Sequence, residues 1–508
     1  MGNEKIRLVS AKPAGRQLTA HPEGLGSLLK PSQGTGLRAT IFNLSNTIMG
    51  GGILGLPHAM ERMGLIPGTA LLVLTAGLCC MTVWMLLIAM EESRQKSYAE
   101  VANVLYGTRA GITVDVTIAL YNFGVLVSYV MIIGDIVPSF LGFLNAPEIL
   151  QDRTLVLVLS GLLVLMPLSS MPSMGALRHA SLLCILMILL LSVALVVAGT
   201  KTIDVSEALD GPVQYWAHGR VGFMEQLPVL IFAYTCNMNV PIFYGELRAQ
   251  TYEDVDSKFR SKREKMMFAM YFSSALCGVE YLLVGMFGYL AFRARTAAEI
   301  LTNLHMAKFW PAPYVKAGYS LVMFTSYPVM CFSCVASLHR LLWEVYSMLH
   351  PDDGAYRRFE ACSPVVDKDD DQSPMSPSIF ATPYLLPGED HLKEAPNFVR
   401  ENGDSHRVTP PAPTTAARLL WVVFLVCSTI LLGIVLPDLS VVFGLTGGFC
   451  GGLVTFCFPA MFYIRVASKR GERLLLGAWA GHFLLFFGLV AGVGSSALVA
   501  VTAWKPKP

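Results

Sequence analysis

Two stretches of this chain place polar and flexible residues in the middle of apolar runs. The first reads Asn43-Leu44-Ser45-Asn46-Thr47-Ile48-Met49-Gly50-Gly51-Gly52-Ile53-Leu54-Gly55-Leu56-Pro57. The second reads Phe232-Ala233-Tyr234-Thr235-Cys236-Asn237-Met238-Asn239-Val240-Pro241-Ile242-Phe243-Tyr244-Gly245-Glu246. Each glycine of a triplet weakens a helix by about 1 kcal/mol relative to alanine. Proline removes a backbone donor and crowds the turn before it. Peptide groups bared to lipid cost several kcal/mol each, so a helix break inside a membrane persists only where it lines a protein cavity or binds something. The chemistry on offer is non-covalent. Backbone amides of Met49, Gly50, Gly51, Gly52 and Ile53 open a half-helix and suit a carboxylate. Free carbonyls suit a cation, and Tyr234, Thr235, Cys236 and Asn237 would shape the facing wall. Close helix packing through small residues is the alternative for the glycines. Asn43, Ser45, Asn46 and Thr47 make the stretch more polar than packing requires.

Other candidates lie in neighbouring apolar runs. Carboxylates inside a membrane are costly and point to function. Glu280, in mid-run, and Asp135, in the outer half of its run, are candidate proton carriers, with a snorkelled or paired carboxylate as the alternative for each. Asp115 and Glu246 fall near run ends and read as interfacial. Asn122 is a candidate polar contact or a plain interhelical hydrogen bond; Ser128, six residues on, does not share its stripe. His58 follows the first interruption and could titrate near neutral pH or simply be hydrogen-bonded. His482 has no expected ligand role.

Such residues need a membrane scaffold. Of 508 residues, 54% are hydrophobic and only 15% charged, with mean hydropathy +0.53. Soluble domains carry about 25% charged residues. A bilayer core about 30 Å thick takes roughly 20 apolar residues per helix. Runs of that kind are predicted at roughly 40–62, 66–90, 112–143, 154–170, 177–199, 222–245, 265–292, 313–347, 417–436, 440–467 and 474–502. The predicted fold is an all-α membrane protein of eleven transmembrane helices. Two five-helix repeats, 40–199 and 222–467, precede an eleventh helix at 474–502. An odd number of spans per repeat inverts the second against the first, and interruptions at matching positions of both mark a transporter's binding site.

Lysine and arginine concentrate in the segments that alternate with the N-terminus, most densely over Lys258–Lys265, which puts the N-terminus in the cytoplasm. The tail 1–39 is polar and basic and lacks the apolar core of a cleavable signal. The segment 350–416, with Asp369, Asp370 and Asp371 and many prolines, is predicted to be a disordered cytoplasmic loop. Ser363, Ser373, Ser376, Thr382 and Thr409 each precede proline there, either as kinase sites or by chance. Ten of the eleven cysteines sit in apolar runs and Cys362 in the loop, a pattern of neither disulfides nor zinc sites. A net charge of +2 gives nucleic acid no foothold.

At the two interruptions the chain resembles the amino acid/auxin permease superfamily, and within it the sodium-coupled neutral amino acid transporters and vacuolar amino acid transporters. Phe287-Gly288-Tyr289-Leu290 and the stretch Val435 to Tyr463, with Phe443-Gly444 and Phe458-Pro459-Ala460-Met461-Phe462-Tyr463, carry the likeness further, over about 38–347 and 417–500. The resemblance implies a leucine-transporter-like fold, ion-coupled alternating access and small neutral amino acids as cargo. The Met49–Ile53 amides would take the cargo carboxylate and the Tyr234–Asn237 carbonyls its amino group. It also implies a sodium site from Asn46 and the Thr325–Ser326 pair. Phe324 stands at the first of two family threonine positions, so the coupling ion is left open between Na+ and H+, with no other cofactor implied. The outer loops near 144–153, 200–221 and 293–312 hold neither cysteine nor glycosylation sequon, which leaves plasma and vacuolar or lysosomal membranes both open. An amino acid sensor signalling through its tail and loop is the competing reading. A membrane enzyme would need clustered His, Asp or Glu that the runs lack, and a channel would need a charged ring.

Overall fold

The computed structural model describes residues 36–171, 180–202, 212–217, 219–247, 259, 261–304, 312–349, 414–436, 439–469 and 475–503. The expected tail 1–39 and loop 350–416, with Cys362 and the proline-directed sites, lie almost wholly outside them. The described residues form helices and turns without a strand. In chain order the helices are α1 (Leu37–Ile48), α2 (Leu56–Met63), α3 (Leu65–Ser93), α4 (Tyr98–Tyr106), α5 (Thr108–Phe143) and α6 (Arg153–Ser170). Then come α7 (Ala180–Thr202), α8 (Arg220–Tyr234), α9 (Val240–Glu246), α10 (Lys262–Phe292) and α11 (Ile300–Asn303). The last four are α12 (Ala312–Leu349), α13 (Thr415–Val435), α14 (Leu439–Ser468) and α15 (Trp479–Thr502).

Among the described residues nine helical segments are long and apolar enough to cross a membrane. The expected first and fifth spans fall short of that measure. The first is split into α1 and α2, and the apolar part of α7 is the shorter Cys184–Thr200. Large apolar side chains such as Leu163, Val193, Phe272, Leu420 and Trp479 point outward, as lipid-facing residues must. Inward, the breaks and their neighbours are closed off: Leu44, Ile53, Leu54 and Leu56 expose nothing.

Lipid tails are as apolar as leucine, so helix association here rests on close packing and polar pins. On one face, residues 212–217 run along the start of α3, where the Leu65 and Ile66 amides donate to the Gln214 and Tyr215 carbonyls (3.0 and 3.1 Å). The 293–303 segment lies on the same face, with His58 Nδ1 3.2 Å from the Thr296 carbonyl. On the opposite face, Glu91 takes Arg263 and the Tyr244 hydroxyl, each at 2.7 Å, and Arg340 pairs with Asp115 at 3.0 Å. That face also carries α4, a helix the apolar periodicity did not foresee. Its start is fixed by a capping box between Ser97 and Glu100. Tyr98 and Tyr106 then donate to the Val454 and Met461 carbonyls of α14.

Candidate functional site

α1 stops at Ile48. Met49 (φ −74°, ψ 66°) leaves the helical region, Gly50 (φ −96°, ψ −154°) runs extended, and a 3-10 turn over Gly51–Gly55 leads into α2. α8 stops at Tyr234. Thr235 (φ −72°, ψ 98°) and Cys236 (φ −125°, ψ −6°) interrupt it, and a 3-10 turn over Asn237–Asn239 leads into α9. Both second halves restart on a proline in their first turn, Pro57 and Pro241. There the missing N–H has no partner to lose and φ is already set.

The two breaks abut. A Cβ on Gly52 would stand 2.9 Å from the Cα of Ala233, so the absence of a side chain is what lets the backbones meet. A Cβ on Gly51 would stand 3.3 Å from Ile132 Cδ1 and 3.4 Å from Tyr129 Cε1. Gly52 therefore does serve close packing, while Gly50 supplies the extended link.

Side chains from other helices cover the carbonyls that the breaks set free. The Tyr281 hydroxyl of α10 lies 2.5 Å from the Ile48 carbonyl and 2.8 Å from that of Ala233, spanning both breaks. The Tyr319 hydroxyl of α12 donates to the Gly50 carbonyl at 3.4 Å, and the Cys184 thiol of α7 to that of Met49 at 3.7 Å. Thiols are weak donors. The N–H groups that open the turn at Gly51 have no preceding turn to bond.

The second break is pinned differently. Asn237, wholly buried, donates through Nδ2 to Thr82 Oγ1 (3.0 Å) and the Thr455 carbonyl (3.1 Å). Its Oδ1 accepts from the Cys79 thiol at 3.3 Å, and that thiol also reaches the Tyr234 carbonyl. Thr235 donates to the Ile231 carbonyl and accepts from Thr455. Buried polar atoms without a hydrogen-bond partner among the described residues include Ser45 Oγ, one turn before the first break, Tyr234 Oη, at the second, and Asn122 Oδ1 on α5.

Comparison with known proteins bears on what crosses here. The family model described as transmembrane amino acid transporter protein matches residues 33–501. The chain belongs to this transporter family. It is 29% identical over 333 residues to vacuolar amino acid transporter 5 of Schizosaccharomyces pombe, covering 64% of this chain and 74% of that protein. Amino acid transporter AVT6E of Arabidopsis thaliana is 28% identical over 62% of this chain and 65% of its own length. Vacuolar amino acid transporter 6 of Saccharomyces cerevisiae is 26% identical over 60% and 66%. The match thus spans a little under two thirds of the last two. Among solved structures, a Na+-coupled sialic acid symporter in a substrate-bound outward-open state matches with TM-score 0.48 at 12% identity, over 91% of this chain and 90% of that chain.

As a member of the transmembrane amino acid transporter family, the chain is a multi-pass membrane protein. Its other candidate residues are placed as follows. The Thr325 hydroxyl donates back to the Leu321 and Val322 carbonyls of its own helix. Asn46, on the last turn of α1, and Ser326, on α12, are half-buried. Asp135 forms an ion pair with Arg153 at 2.8 Å, and Arg153 also donates to the Gly433 carbonyl. Glu280 accepts from Ser192 Oγ at 2.5 Å. Both candidate proton carriers thus have partners.

Five residues around this transporter's breaks escaped the sequence reading: Tyr129, Tyr281, Tyr319, Cys79 and Cys184. The available signal was a tyrosine at mid-span, whose hydroxyl needs a partner when buried. Nothing local says that the partner is a carbonyl two hundred residues away. Glu299, in the segment before α12, also escaped; a glutamate between apolar runs reads as solvated, yet it is 3% exposed.

Proposed function

We propose that this protein carries amino acids across a membrane by alternating access, through the region where the two breaks meet. The observation that supports this most directly is the shared Tyr281 hydroxyl, which brings carbonyls from both interrupted helices to one point. The α-ammonium of an amino acid would replace the hydroxyl and thiol donors on the Ile48, Ala233, Met49 and Gly50 carbonyls. The amides that open the Gly51 turn would take the carboxylate, helped by the positive end of the half-helix dipole. Tyr234 and Ser45 supply unspent polar atoms beside the breaks, and Asn122 one on α5. The names of the relatives favour amino acids as cargo and a vacuolar membrane as the location, with the plasma membrane as the other choice. In this reading the chain crosses eleven times with α1–α2 and α8–α9 as broken spans. The two sets of five helices face opposite ways, and cargo movement is coupled to an ion. Small neutral side chains suit a site walled by Tyr129, Ile132 and Phe232.

The test is uptake of a radiolabelled mixture of L-amino acids into liposomes holding the purified protein, under separate Na+ and H+ gradients. Uptake above that of empty liposomes, competed by unlabelled amino acid, is expected. No uptake and no exchange under any gradient would end the reading.

A further inference from the structure

Glu299 is a carboxylate with both oxygens buried and no hydrogen-bond partner among the described residues. It precedes α11, in the segment that lies over α2 and α5 on the face holding residues 212–217. The charged and titratable groups around it come from every neighbouring element. α5 contributes Asp135, already paired with Arg153 of α6. α12 contributes Lys316, 5% exposed, whose Nζ donates to Ser139 Oγ at 2.8 Å, and Tyr319 one turn further on. α2 contributes His58 and Glu61, and the segment itself Arg293 and Arg295.

An ionised carboxylate accepts hydrogen bonds and is rarely buried without them. A carboxylic acid tolerates the same surroundings. Burial pushes Glu299 well above the usual carboxylate range; the negative charge of Asp135 adds to the rise and the positive charge of Lys316 opposes it. Lys316 also lines a cavity of about 370 Å³ with Pro138, Ser139, Gly142 and Gln151, so water on that face comes close. Once ionised, Glu299 would act electrostatically on Tyr319, whose hydroxyl donates to the Gly50 carbonyl of the first break.

We propose that Glu299 is the proton-binding site of this transporter. Its carboxyl is protonated in the conformation described, and it releases H+ to water on the 293–303 face when that segment separates from α5. This rests on the transport reading above and names the coupling ion and its carrier. The bond that breaks is the carboxyl O–H; the proton passes to water and the carboxylate then faces Lys316. A carboxylate formed there changes the charge beside Tyr319 and so the hydrogen bond at Gly50, which links protonation to the first break.

The experiment uses the full chain in liposomes with a trapped pH dye. The probe is a mixture of L-amino acids, radiolabelled for exchange and unlabelled for proton movement. For the wild type, adding amino acids moves protons, and the rate follows a single titration. Glu299→Gln, which mimics the protonated acid, is expected to keep labelled exchange. Amino-acid-driven proton movement should fall at least about tenfold and the pH profile should flatten. Lys316→Met should shift the wild-type midpoint to higher pH and Asp135→Asn to lower pH, because the first removes a charge that favours the carboxylate and the second one that opposes it. Infrared difference spectra across a pH step should show a protonated carboxyl band that Glu299→Gln abolishes, a readout that needs no transport. Unchanged proton movement and pH profile in Glu299→Gln would overturn the proposal. So would wild-type uptake driven by Na+ and indifferent to pH, or a carboxyl band that survives the substitution. Absence of any exchange in the wild type would instead sink the transport reading itself, with the infrared band still deciding whether Glu299 binds a proton.

Discussion

At the first break, the Met49 and Gly50 carbonyls receive a thiol and a phenol from separate helices, at 3.7 and 3.4 Å. At the second, one buried amide, Asn237, joins three partners on α3 and α14 at 3.0 to 3.3 Å. Long contacts from single-bond rotors can turn away without disturbing a helix. A side-chain amide with both ends engaged cannot turn without leaving buried groups unpaired. In the proposed transport cycle the first break is therefore the wall expected to yield to cargo, and the second the wall expected to stay fixed.

The largest expected effect comes from forcing the walls apart. Gly52→Leu puts a side chain where even a Cβ would stand 2.9 Å from Ala233 Cα. It should reduce amino acid uptake by more than about a hundredfold, while the protein still reaches the membrane and elutes as a single species in detergent. Uptake within a factor of a few of wild type would mean the abutting backbones are not the site.

Asn237→Leu tests the fixed wall. Buried hydrogen bonds between membrane helices contribute roughly 0.5–1.5 kcal/mol each, so losing three should cost about 1.5–4.5 kcal/mol. A thermal unfolding midpoint lower by several degrees is expected, with KM nearly unchanged at low temperature. A KM raised tenfold at an unaltered midpoint would put Asn237 on the cargo and dissolve the contrast between the walls.

Tyr281→Phe has the smallest expected effect and a distinctive sign. Removing the hydroxyl takes the phenol from the Ala233 carbonyl and leaves Ile48 with the Gly50 N–H, so an incoming ammonium has no phenol to displace. KM should fall by about three- to tenfold, with turnover falling alongside because release must leave those carbonyls without the phenol. A raised KM would mean that the hydroxyl touches cargo.

The positions of both breaks were legible in the sequence because glycine and proline act through local backbone geometry. The triplet at Gly50–Gly52 begins where Met49 and Gly50 leave the helix, and the polar run Tyr234–Asn239 before Pro241 contains the non-helical Thr235 and Cys236. Most of the spans were legible from length and hydropathy alone. The partners of the breaks were not. Tyr281 meets Ile48 across 233 positions of chain, and no local pattern encodes such a meeting. α4 was missed because a nine-residue helix with one capping box carries too little periodicity to stand out between long apolar runs. Glu299 was missed because burial of a loop glutamate is decided by what folds over it. Asp135 and Glu280 were easier to suspect, being inside apolar runs, and both turned out to have partners.

One phenol carries one hydrogen, yet two carbonyls look to it. The Ile48 carbonyl also accepts the Gly50 N–H at 2.8 Å, so the phenol's hydrogen is free for Ala233 whenever Ile48 keeps its backbone partner. An α-ammonium brings three N–H groups and can serve both with one to spare. By the transport reading, cargo would compete with one rotor on Ala233 and with a backbone amide as well on Ile48, so the two carbonyls would yield unequally.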